Sequence, residues 1–425
     1  MIAKRASVRL AGTAFVAAAT LLAVSVTDAS AAKVAHHAPT WQGAWAASPQ
    51  SATAPFAPNW SQEGFDNHTV RQVVRVTNSG TKARIELSNR YGKTPLKITG
   101  ATVARTAKGA SVQPGSVRQL TFGKGHDSVT IPSGGKALSD GVPFKVKAFE
   151  SVTVTLYLAE KTGPATFHHL ASATSYRASG DHRSDAAGTS FKESGTSWYY
   201  LSGVEVSGSK PVRGNGIVTF GDSITDGVGS HADANNRYPD ELAERLAAAG
   251  KPRAVLNQGI GGNQVTNDTV WAGEKGIARF KEDVLDERGV RTVIVLEGIN
   301  DIGGTTWGEN FPGGPTPEVS VQQLIDGHRK LIRQAHSKGL KVIGATLTPI
   351  EGSAYFTAEN EAKRDAVNKW IRTSGAYDAV VDFDRAVADP AHEDRILPAY
   401  DSGDALHPND AGYKAMADAL DLNEL

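Results

Sequence analysis

The stretch Gly216-Ile-Val-Thr-Phe-Gly-Asp-Ser-Ile-Thr-Asp226 marks a change in the pattern of the chain. Its first five residues form an apolar run of the length of a buried strand, and glycine and aspartate then interrupt that run. From here to residue 425, apolar runs alternate with segments of helical periodicity. Strands that alternate with helices predict an α/β fold, in which a parallel sheet is covered on both faces and has a crevice at the carboxyl ends of its strands.

The elements expected in this α/β region follow one another regularly. The helix over 237–249 has Pro239 in its first turn and Gly250 just past its end, which is typical of helix termini. The helix over 321–336 places its apolar residues on one face. The predicted strands are 216–220, 254–256, 292–296, 341–347 and 379–383, and the predicted helices are 237–249, 321–336, 357–373 and 409–420.

Residues 41–206 have a different sequence pattern, which is that of short strands. Short segments rich in Val, Ile, Thr and Leu are separated by Gly, Asn, Pro and Ser, and polar and apolar residues alternate in Arg84-Ile-Glu-Leu-Ser88. The predicted strands are 69–77, 83–88, 96–104, 116–122, 128–131, 151–158 and 198–206. Many short strands without a helical period between them predict an antiparallel β-sandwich, of jelly-roll type.

The length of 425 residues also indicates two domains, since single domains usually have roughly 100–200 residues. Residues 207–213 are rich in Gly, Ser and Pro and separate the two regions of different pattern. We therefore predict an accessory β-sandwich domain at 41–206, a linker at 207–213 and a second domain at 214–425.

The first residues have the pattern of a secretory signal peptide. Lys4, Arg5 and Arg9 precede the apolar run Leu10–Val26, and Ala29-Ser-Ala31 offers a cleavage site of small residues. A membrane anchor is less favoured, because the run is rich in alanine, at the short limit for a span, and without a basic flank after it. We expect a signal peptide at 1–31, cleavage near Ala31, a linker at 32–40 and a secreted protein.

Composition excludes several classes of function. Lys and Arg number 45 and Asp and Glu also number 45, so no net charge attracts nucleic acid or an anionic membrane. The absence of cysteine excludes thiol catalysis, disulfides and Cys-ligated zinc. The pairs His36-His37 and His168-His169 lack the spacing of a zinc site and are interpreted as surface histidines, and His328 as a core residue. We expect neither a metal nor a cofactor.

Three residues suggest nucleophilic catalysis. Ser223 lies at a predicted strand-to-helix junction, where its hydroxyl projects above the sheet and its N–H faces a helix N-terminus. A serine needs a base within hydrogen-bond reach. Asp404 and His407 lie three residues apart before the last helix, so that the carboxylate can bind imidazole Nδ1 and leave Nε2 for the serine proton.

Two further segments follow the second and third strands of this region, Asn257-Gln-Gly-Ile-Gly-Gly-Asn263 and Gly298-Ile-Asn-Asp301. With them, residues 214–425 resemble the GDSL/SGNH hydrolase family, in which four blocks supply Ser, Gly, Asn and His. Ser223 is similar to the serine of the first block, Gly262 to the glycine, Asn300 to the asparagine, and Asp404 with His407 to the last block. Gly261 is adjacent to Gly262, but the family's spacing from Asn257 favours Gly262.

The resemblance implies a flavodoxin-like three-layer α/β/α fold and a carboxylic ester hydrolase that forms an acyl-enzyme on Ser223. It also implies that the N–H groups of Ser223 and Gly262 and the side-chain amide of Asn300 form an oxyanion hole. Asp222, Asp226 and Asp301 are interpreted as residues that shape the loops by hydrogen bonding. The loop 303–317, which carries Trp307 and Phe311, is either a substrate-facing flap or an ordinary surface loop.

The sequence leaves the substrate open. Short-acyl or carbohydrate acetyl esters are favoured, and a lipase or phospholipase acting on lipid esters is the alternative. A secreted, non-catalytic carbohydrate-binding protein is a hypothesis of another class, against which the complete set of Ser, Gly, Asn, Asp and His argues. The expected partner is a small-molecule, carbohydrate or lipid ester. We expect a monomer without nucleic-acid binding and without stable membrane insertion.

Overall fold

The computed structural model describes residues 40–208, 214–309 and 311–425. The predicted signal peptide 1–31, the linker 32–40 except for Thr40, and residues 209–213 of the second linker lie outside the described residues. Residues 39–425 group as one compact unit. The predicted domain boundaries near residues 206 and 214 stay a prediction, and the two parts are called the β region and the α/β region below.

The β region consists of antiparallel strands, as its alternating pattern predicts. Its strands are β1 (Trp41–Ala46), β2 (His68–Arg75), β3 (Gly80–Ser88), β4 (Leu96–Ile98), β5 (Gly100–Lys108), β6 (Ser111–Val112), β7 (Arg118–Leu120), β8 (Val129–Ile131), β9 (Lys136–Leu138), β10 (Val142–Val146), β11 (Ser151–Leu158), β12 (Phe167–His168), β13 (Ser175–Ser179), β14 (Glu193–Gly195), β15 (Trp198–Tyr199) and β16 (Leu201–Ser207).

Two main sheets form from these strands. One has the order β1-β16-β3-β10, with β9 also paired to β3, and the other has the order β14-β13-β2-β11-β5-β6, with β7 also paired to β5. Side chains of both sheets share one apolar core, to which Ile85, Val103, Val154 and Leu156 contribute fully buried groups. The antiparallel architecture is thus confirmed, and the jelly-roll arrangement stays a prediction.

Some predicted strands differ from the observed ones. The strand expected at 96–104 is divided into β4 and β5, and the strand expected at 198–206 is divided at Tyr200. Tyr200 has a φ of 60°, and a left-handed residue cannot continue an extended strand. The strands β1, β6, β9, β10 and β12 to β14 were not predicted; all of them except β1 are only two to five residues long, and β10 carries Pro143.

The α/β region contains the predicted parallel sheet. Its strands are β17 (Gly216–Gly221), β18 (Val255–Gly259), β19 (Val290–Leu296), β20 (Lys341–Ala345) and β21 (Ala379–Val381). They pair in parallel in the order β18-β17-β19-β20-β21, which is the doubly wound order of flavodoxin-like folds. Every residue of β17 is buried, and this agrees with helices on both faces of the sheet.

The four predicted helices of this region are present, together with short helices of four or five residues, of which only the one that begins at Ser223 was expected. They are α1 (Ser223–Asp226), α2 (Tyr238–Ala248), α3 (Gly276–Phe280), α4 (Ile299–Gly303), α5 (Val321–His336), α6 (Ala358–Thr373), α7 (Phe383–Val387) and α8 (Asp410–Ala419). A π-helical turn covers Lys281–Leu285, a 3-10 turn covers Gly304–Thr306, and a short hairpin joins β22 (Ala388–Asp389) to β23 (His392–Ile396). The capping box of Ser320 and Gln323 fixes the start of α5 at the predicted residue.

The β region packs against β18, which is the outermost strand of the parallel sheet. The Thr77 hydroxyl lies 3.0 Å from both the N–H and the carbonyl oxygen of Val255, so it accepts a hydrogen bond from the first and donates one to the second. Ala46 of β1 lies in the same buried apolar cluster as Leu256. The two regions therefore share buried polar and apolar contacts.

The guanidinium group of Arg279 is buried beneath the carboxyl ends of the central strands. Its Nη2 donates to the carbonyl oxygen of Gly221 at 2.8 Å, and its Nη1 donates to that of Gln258 at 2.8 Å. Its Nε donates to Asn263 Oδ1 at 2.7 Å. One side chain thus joins the last residue of β17, strand β18 and the loop that follows β18.

The same guanidinium group also reaches acidic groups and the β region. Its Nη1 lies 2.9 Å from Asp283 Oδ2 and 3.2 Å from the hydroxyl of Ser48, and its Nη2 lies 3.6 Å from Glu297. Arg279, Asp283 and Glu297 are all buried. A buried cation with several hydrogen-bond acceptors is strongly destabilising to remove, because its partners stay behind without compensation.

We expect the substitution Arg279→Met to lower the free energy of unfolding by about 3–5 kcal/mol, since it leaves two buried carboxyl groups without their cation. Urea denaturation monitored by tryptophan fluorescence measures this change. Arg329→Met is the matched control, because Arg329 is an exposed residue whose ion pair with Asp326 contributes about 0–1 kcal/mol. Equal losses in the two variants would contradict the structural role of Arg279.

Candidate active site

Ser223 is the first residue of α1, directly after the turn that ends β17. Asp222 caps this helix, because its Oδ1 accepts a hydrogen bond from the N–H of Ile224 at 2.9 Å. The cap fixes the backbone on both sides of the serine. The hydroxyl of Ser223 therefore lies at the carboxyl ends of the strands, where the sequence predicts it.

Asp404 and His407 lie in the loop before α8 and form a hydrogen-bonded line with Ser223. His407 Nε2 is 2.8 Å from Ser223 Oγ, and His407 Nδ1 is 2.6 Å from Asp404 Oδ2. A carboxylate only accepts hydrogen bonds, so Nδ1 carries the proton and Nε2 has the lone pair that faces the serine hydroxyl. The structure thus brings together the three residues that the sequence predicts.

The groups around Asp404 keep its carboxyl group ionised. Partial burial alone raises the pKa of this carboxyl group, but the hydrogen bond and charge of His407 outweigh burial and keep the pKa well below its usual range. The backbone N–H groups of Leu406 and His407 also donate to Asp404 Oδ1, at 3.0 and 2.8 Å. Asp404 therefore stays anionic and keeps the imidazole ring in one orientation.

Gly262 lies beside Ser223 with its backbone in a left-handed conformation, at a φ of 77°. A Cβ atom at this position would lie 1.9 Å from the ring of Trp271, so only glycine fits. The N–H of the adjacent Gly261 donates to Asp226 Oδ2 at 3.1 Å, whereas the N–H of Gly262 has no acceptor among the described residues. Of the two glycines, Gly262 therefore has the N–H group that is free for a ligand.

The side-chain amide of Asn300 is fixed from both ends. Its Nδ2 donates to the carbonyl oxygen of Asn263 at 3.0 Å, and its Oδ1 accepts a hydrogen bond from the Tyr355 hydroxyl at 2.8 Å. Trp307 Nε1 in turn donates to that hydroxyl at 3.0 Å. Burial raises the pKa of Tyr355, so the hydroxyl stays protonated and can donate. The second hydrogen of Asn300 Nδ2 is left for a ligand.

The three loop aspartates accept hydrogen bonds from the backbone, as predicted. Besides Asp222 and Asp226, Asp301 accepts from the N–H groups of Val265 and Thr266, at 2.7 and 3.0 Å. Burial raises the pKa of Asp301 to about 6 and that of Asp222 to about 7. The loops after β17 and β18 are thus held by carboxyl groups that lie below the site.

The interpretation of His168-His169 as surface histidines is wrong. Both residues are buried, and His168 lies 3.0 Å from Asp226 Oδ1 and 3.0 Å from the carbonyl oxygen of Ser48. The sequence could not show this, because the partners lie far away along the chain. The other pair, His36-His37, lies outside the described residues. His328 is a core residue, as predicted, and its Nδ1 is 2.6 Å from the hydroxyl of Tyr377.

A cavity of about 540 Å³ opens beside the serine hydroxyl. Its polar part consists mainly of Ser223, Gly262, Asn300 and His407, and the rest of its wall is largely apolar. The aromatic residues of the wall are Phe56, Trp271, Trp307, Phe311 and Tyr355. Thr306, Trp307, Gly308 and Phe311 belong to the loop 303–317, so these residues of the loop face the cavity, as the interpretation of a substrate-facing flap requires.

The β region contributes to this cavity through Phe56 and Leu170. The ring of Phe56 lies 5.0 Å from that of Trp271 and 5.5 Å from that of Phe311, measured between ring centres. The sequence did not predict Phe56, Leu170, Trp271 or Tyr355 as site residues. No local motif identifies them, because each reaches the site only through tertiary packing.

One group of acidic side chains in the described part of the chain is compact enough to hold a metal ion. Glu361, Asp365 and Asp394 lie close together, but the buried guanidinium group of Arg364 contacts all three. This cation already supplies a positive charge to the cluster. The three carboxyl groups are therefore interpreted as ion-pair partners of Arg364.

The site residues predicted from the sequence all lie in a segment that matches a known family. Residues 219–415 match the GDSL-like lipase/acylhydrolase family. This part of the chain is a GDSL-like lipase/acylhydrolase domain. The match includes Ser223, Gly262, Asn300, Asp404 and His407, and the chain therefore carries the domain of a carboxylic ester hydrolase. The β region lies outside the matched residues.

The GDSL-like domain is also similar to solved structures. An α/β hydrolase from the metagenome of Lake Arreo, Spain, is 24% identical, with 49% of this chain and 94% of that chain covered and a TM-score of 0.37. A variant of the acetyl xylan esterase Axe2 from Geobacillus stearothermophilus is 22% identical, with coverages of 50% and 94% and a TM-score of 0.38. A GDSL-like lipase from Bacteroides thetaiotaomicron VPI-5482 is 19% identical, with coverages of 49% and 88% and a TM-score of 0.35. No curated protein matches the chain.

We expect Tyr355→Phe to lower kcat for ester hydrolysis roughly ten-fold with little change in KM, because the loss of one buried hydrogen bond of about 1–1.5 kcal/mol frees the amide of Asn300. Asn300→Ala removes the amide itself and is expected to lower kcat by roughly 10²–10³. Steady-state kinetics on a p-nitrophenyl ester measure both values.

Tyr377→Phe is the matched control for Tyr355→Phe. It also deletes a buried tyrosine hydroxyl, but that hydroxyl lies against His328, and Tyr377 is not part of the cavity wall. If Tyr377→Phe lowered kcat as much as Tyr355→Phe, the effect would be one of stability, and the orientation of Asn300 by Tyr355 would be disproved.

Proposed function

We propose that the protein is a secreted serine esterase that cleaves carboxylic esters through an acyl-enzyme on Ser223. The observation that carries the proposal is the hydrogen-bonded line from Ser223 Oγ through His407 to Asp404, with distances of 2.8 and 2.6 Å. This is the arrangement of a catalytic triad, in which the nucleophile, the base and the residue that orients the base follow one another.

The geometry supports a two-step reaction. In the first step, Ser223 Oγ attacks the ester carbonyl carbon while His407 Nε2 takes the hydroxyl proton. The N–H groups of Ser223 and Gly262 and the amide of Asn300 then donate to the oxyanion. The carbonyl re-forms, the bond to the alcohol breaks, and the alcohol leaves with the proton of His407. In the second step, water repeats this sequence and releases the acid.

Export is proposed from the sequence pattern of residues 1–31, and action as a monomer because Ser223, His407 and Asp404 meet within one chain. Within the part of the chain that the structure describes, no helix has the length and apolar character to cross a bilayer. The non-catalytic carbohydrate-binding hypothesis is less well supported, because it gives no reason for an aligned Ser223, His407 and Asp404.

The volume and the apolar wall of the cavity indicate which acyl group the substrate carries. The sequence favoured short-acyl or carbohydrate acetyl esters over lipid esters, but an acetyl group has two carbon atoms and would leave most of a 540 Å³ cavity empty. Sites of about 300–1,000 Å³ with apolar walls typically enclose much larger apolar groups. The hydroxyl groups of a sugar would also find few partners on these aromatic walls. We therefore place esters with a larger apolar acyl group first.

We expect Ser223→Ala to abolish hydrolysis of a p-nitrophenyl ester with the fold intact, because a nucleophile at the mouth of a cavity adds little packing energy. A serine-reactive organophosphonate should label the peptide that contains Ser223, as mass spectrometry can show. Ser230→Ala is the control, since its hydroxyl binds the carbonyl oxygen of Gly227 in the same loop. Undiminished activity of Ser223→Ala, or labelling elsewhere, would disprove the proposal.

We expect Phe56→Ala to lower kcat/KM for p-nitrophenyl decanoate roughly ten-fold and that for the acetate by less than two-fold, because the lost ring contacts contribute about 0.5–1.5 kcal/mol beyond area burial. The leaving group is common to both esters, so the ratio reports the acyl group alone. Phe356→Ala is the control, as Phe356 is an exposed phenylalanine outside the cavity wall. An equal effect of Phe56→Ala on both esters would show that this wall does not bind the acyl chain.

A further inference from the structure

A buried histidine–aspartate pair joins the β region to the loop of the nucleophile. His168 belongs to β12, and Asp226 ends α1, three residues after Ser223. The side chains of the pair are only 4% and 3% exposed, and the two residues are 58 positions apart in the chain. His168 lies outside residues 219–415, so it is not part of the GDSL-like domain.

The partners of the ring fix its protonation. His168 Nδ1 faces the carbonyl oxygen of Ser48 at 3.0 Å, and Nε2 faces Asp226 Oδ1 at 3.0 Å. The carbonyl oxygen of Ser48 and an ionised Asp226 both accept hydrogen bonds, so an imidazolium ring that donates from both nitrogens satisfies both partners. A buried cation next to a carboxylate forms a charge-assisted hydrogen bond, which is stronger than a neutral one.

The other charged and titratable groups near the His168 ring are Arg237 and His169, and neither takes the place of Asp226 as its partner. Burial alone lowers the pKa of His168, but Asp226 outweighs it, and the net direction is upward even though the nearby Arg237 opposes it. Arg237 is itself paired with Asp240 at 2.6 Å. Burial and the charge of His168 lower the pKa of His169 to about 4, so His169 is neutral.

The second carboxylate oxygen of Asp226 contacts the Gly261–Gly262 turn. Asp226 Oδ2 accepts the N–H of Gly261 at 3.1 Å, and Gly261 directly precedes Gly262. Leu170, two residues after His168, packs on the same turn, since a Cβ atom at Gly261 would lie 2.5 Å from Leu170 Cδ1. The segment 168–170 thus holds the turn both by hydrogen bonding and by contact.

We propose that His168 is a positioning residue for the oxyanion hole: through Asp226 and Gly261 it holds the turn in which the N–H of Gly262 faces the developing oxyanion. This inference rests on the proposed function. It means that the β region supplies part of the catalytic geometry although it contributes no residue that touches the reacting atoms.

The expected signature is a loss in kcat. His168→Ala leaves Asp226 without its cation and frees the Gly261–Gly262 turn, and because the oxyanion exists only after attack, kcat should fall at least ten-fold while KM changes less than about two-fold. His182→Ala is the matched control, since it removes another histidine–aspartate pair of the β region, with Asp185 at 2.8 Å, and should leave both constants unchanged.

A neutral replacement should rescue the geometry. In Asp226→Asn, the amide oxygen can still accept the N–H of Gly261, and the amide nitrogen can donate to Nε2 of a neutral His168. We therefore expect Asp226→Asn to keep kcat within about three-fold of wild type, whereas a merely structural need for the charged pair would make it as damaging as His168→Ala.

The pH dependence gives a second readout. Because the folded-state pKa of His168 is raised above 6.5, its contribution to stability is complete below about pH 6.5 and is lost as the pH rises through the raised value. Urea denaturation of wild type should show this alkaline loss, and Asp226→Asn should show less of it, since its histidine is already neutral. This readout also holds if His168→Ala does not fold.

The experiment separates the two proposals. Organophosphonate labelling and inactivation by Ser223→Ala test the serine mechanism, and neither depends on His168. If these succeed, and folded His168→Ala keeps the kcat of wild type, or Asp226→Asn loses as much kcat as His168→Ala, the positioning role is disproved while the serine mechanism stands. If labelling at Ser223 fails, the proposed function itself is disproved.

Discussion

The guanidinium group of Arg279 is the point on which the rest of the structure depends. It is buried, and its donors reach the end of β17, strand β18, the loop after β18, and Ser48 of the β region. These are the segments that carry Ser223 and the Gly261–Gly262 turn. A buried cation is stable only when acceptors surround it. The charge of Arg279 is therefore compensated only when these segments lie together, as they do in the folded chain. The contacts of Arg279 beneath the site thereby fix the positions of these segments relative to one another.

Above this cation, each polar group of the site is oriented by a hydrogen-bond partner in the protein. Asp404 orients His407, Tyr355 orients the amide of Asn300, and Asp226 holds the turn before Gly262. All three partners act on orientation, which costs little at the moment of reaction because it is established during folding. The orientation of the polar groups around Ser223 is therefore set by the fold.

The sequence predicted what is local and periodic. The predicted start and end of α5 agree with the structure, because its apolar face lies within the helix and its capping box lies at the N-terminus of the helix. Ser223 and Asp404 with His407 could be chosen because loops at strand ends of a parallel sheet converge. In contrast, Tyr355 and His168 carry no local signal, since their roles come from partners 55 and 58 residues away. Tyr200 divides a predicted strand through a backbone angle that composition does not encode.

The contact of Thr77 with Val255 has a consequence for association between molecules. Strand β18 is the last strand of the parallel sheet, and the free N–H and C=O groups of such a strand can pair with a strand of another chain. The hydroxyl of Thr77 occupies both backbone groups of Val255 and so stands in for a neighbouring strand. A single side chain of the β region therefore blocks intermolecular sheet extension at this position of the edge strand.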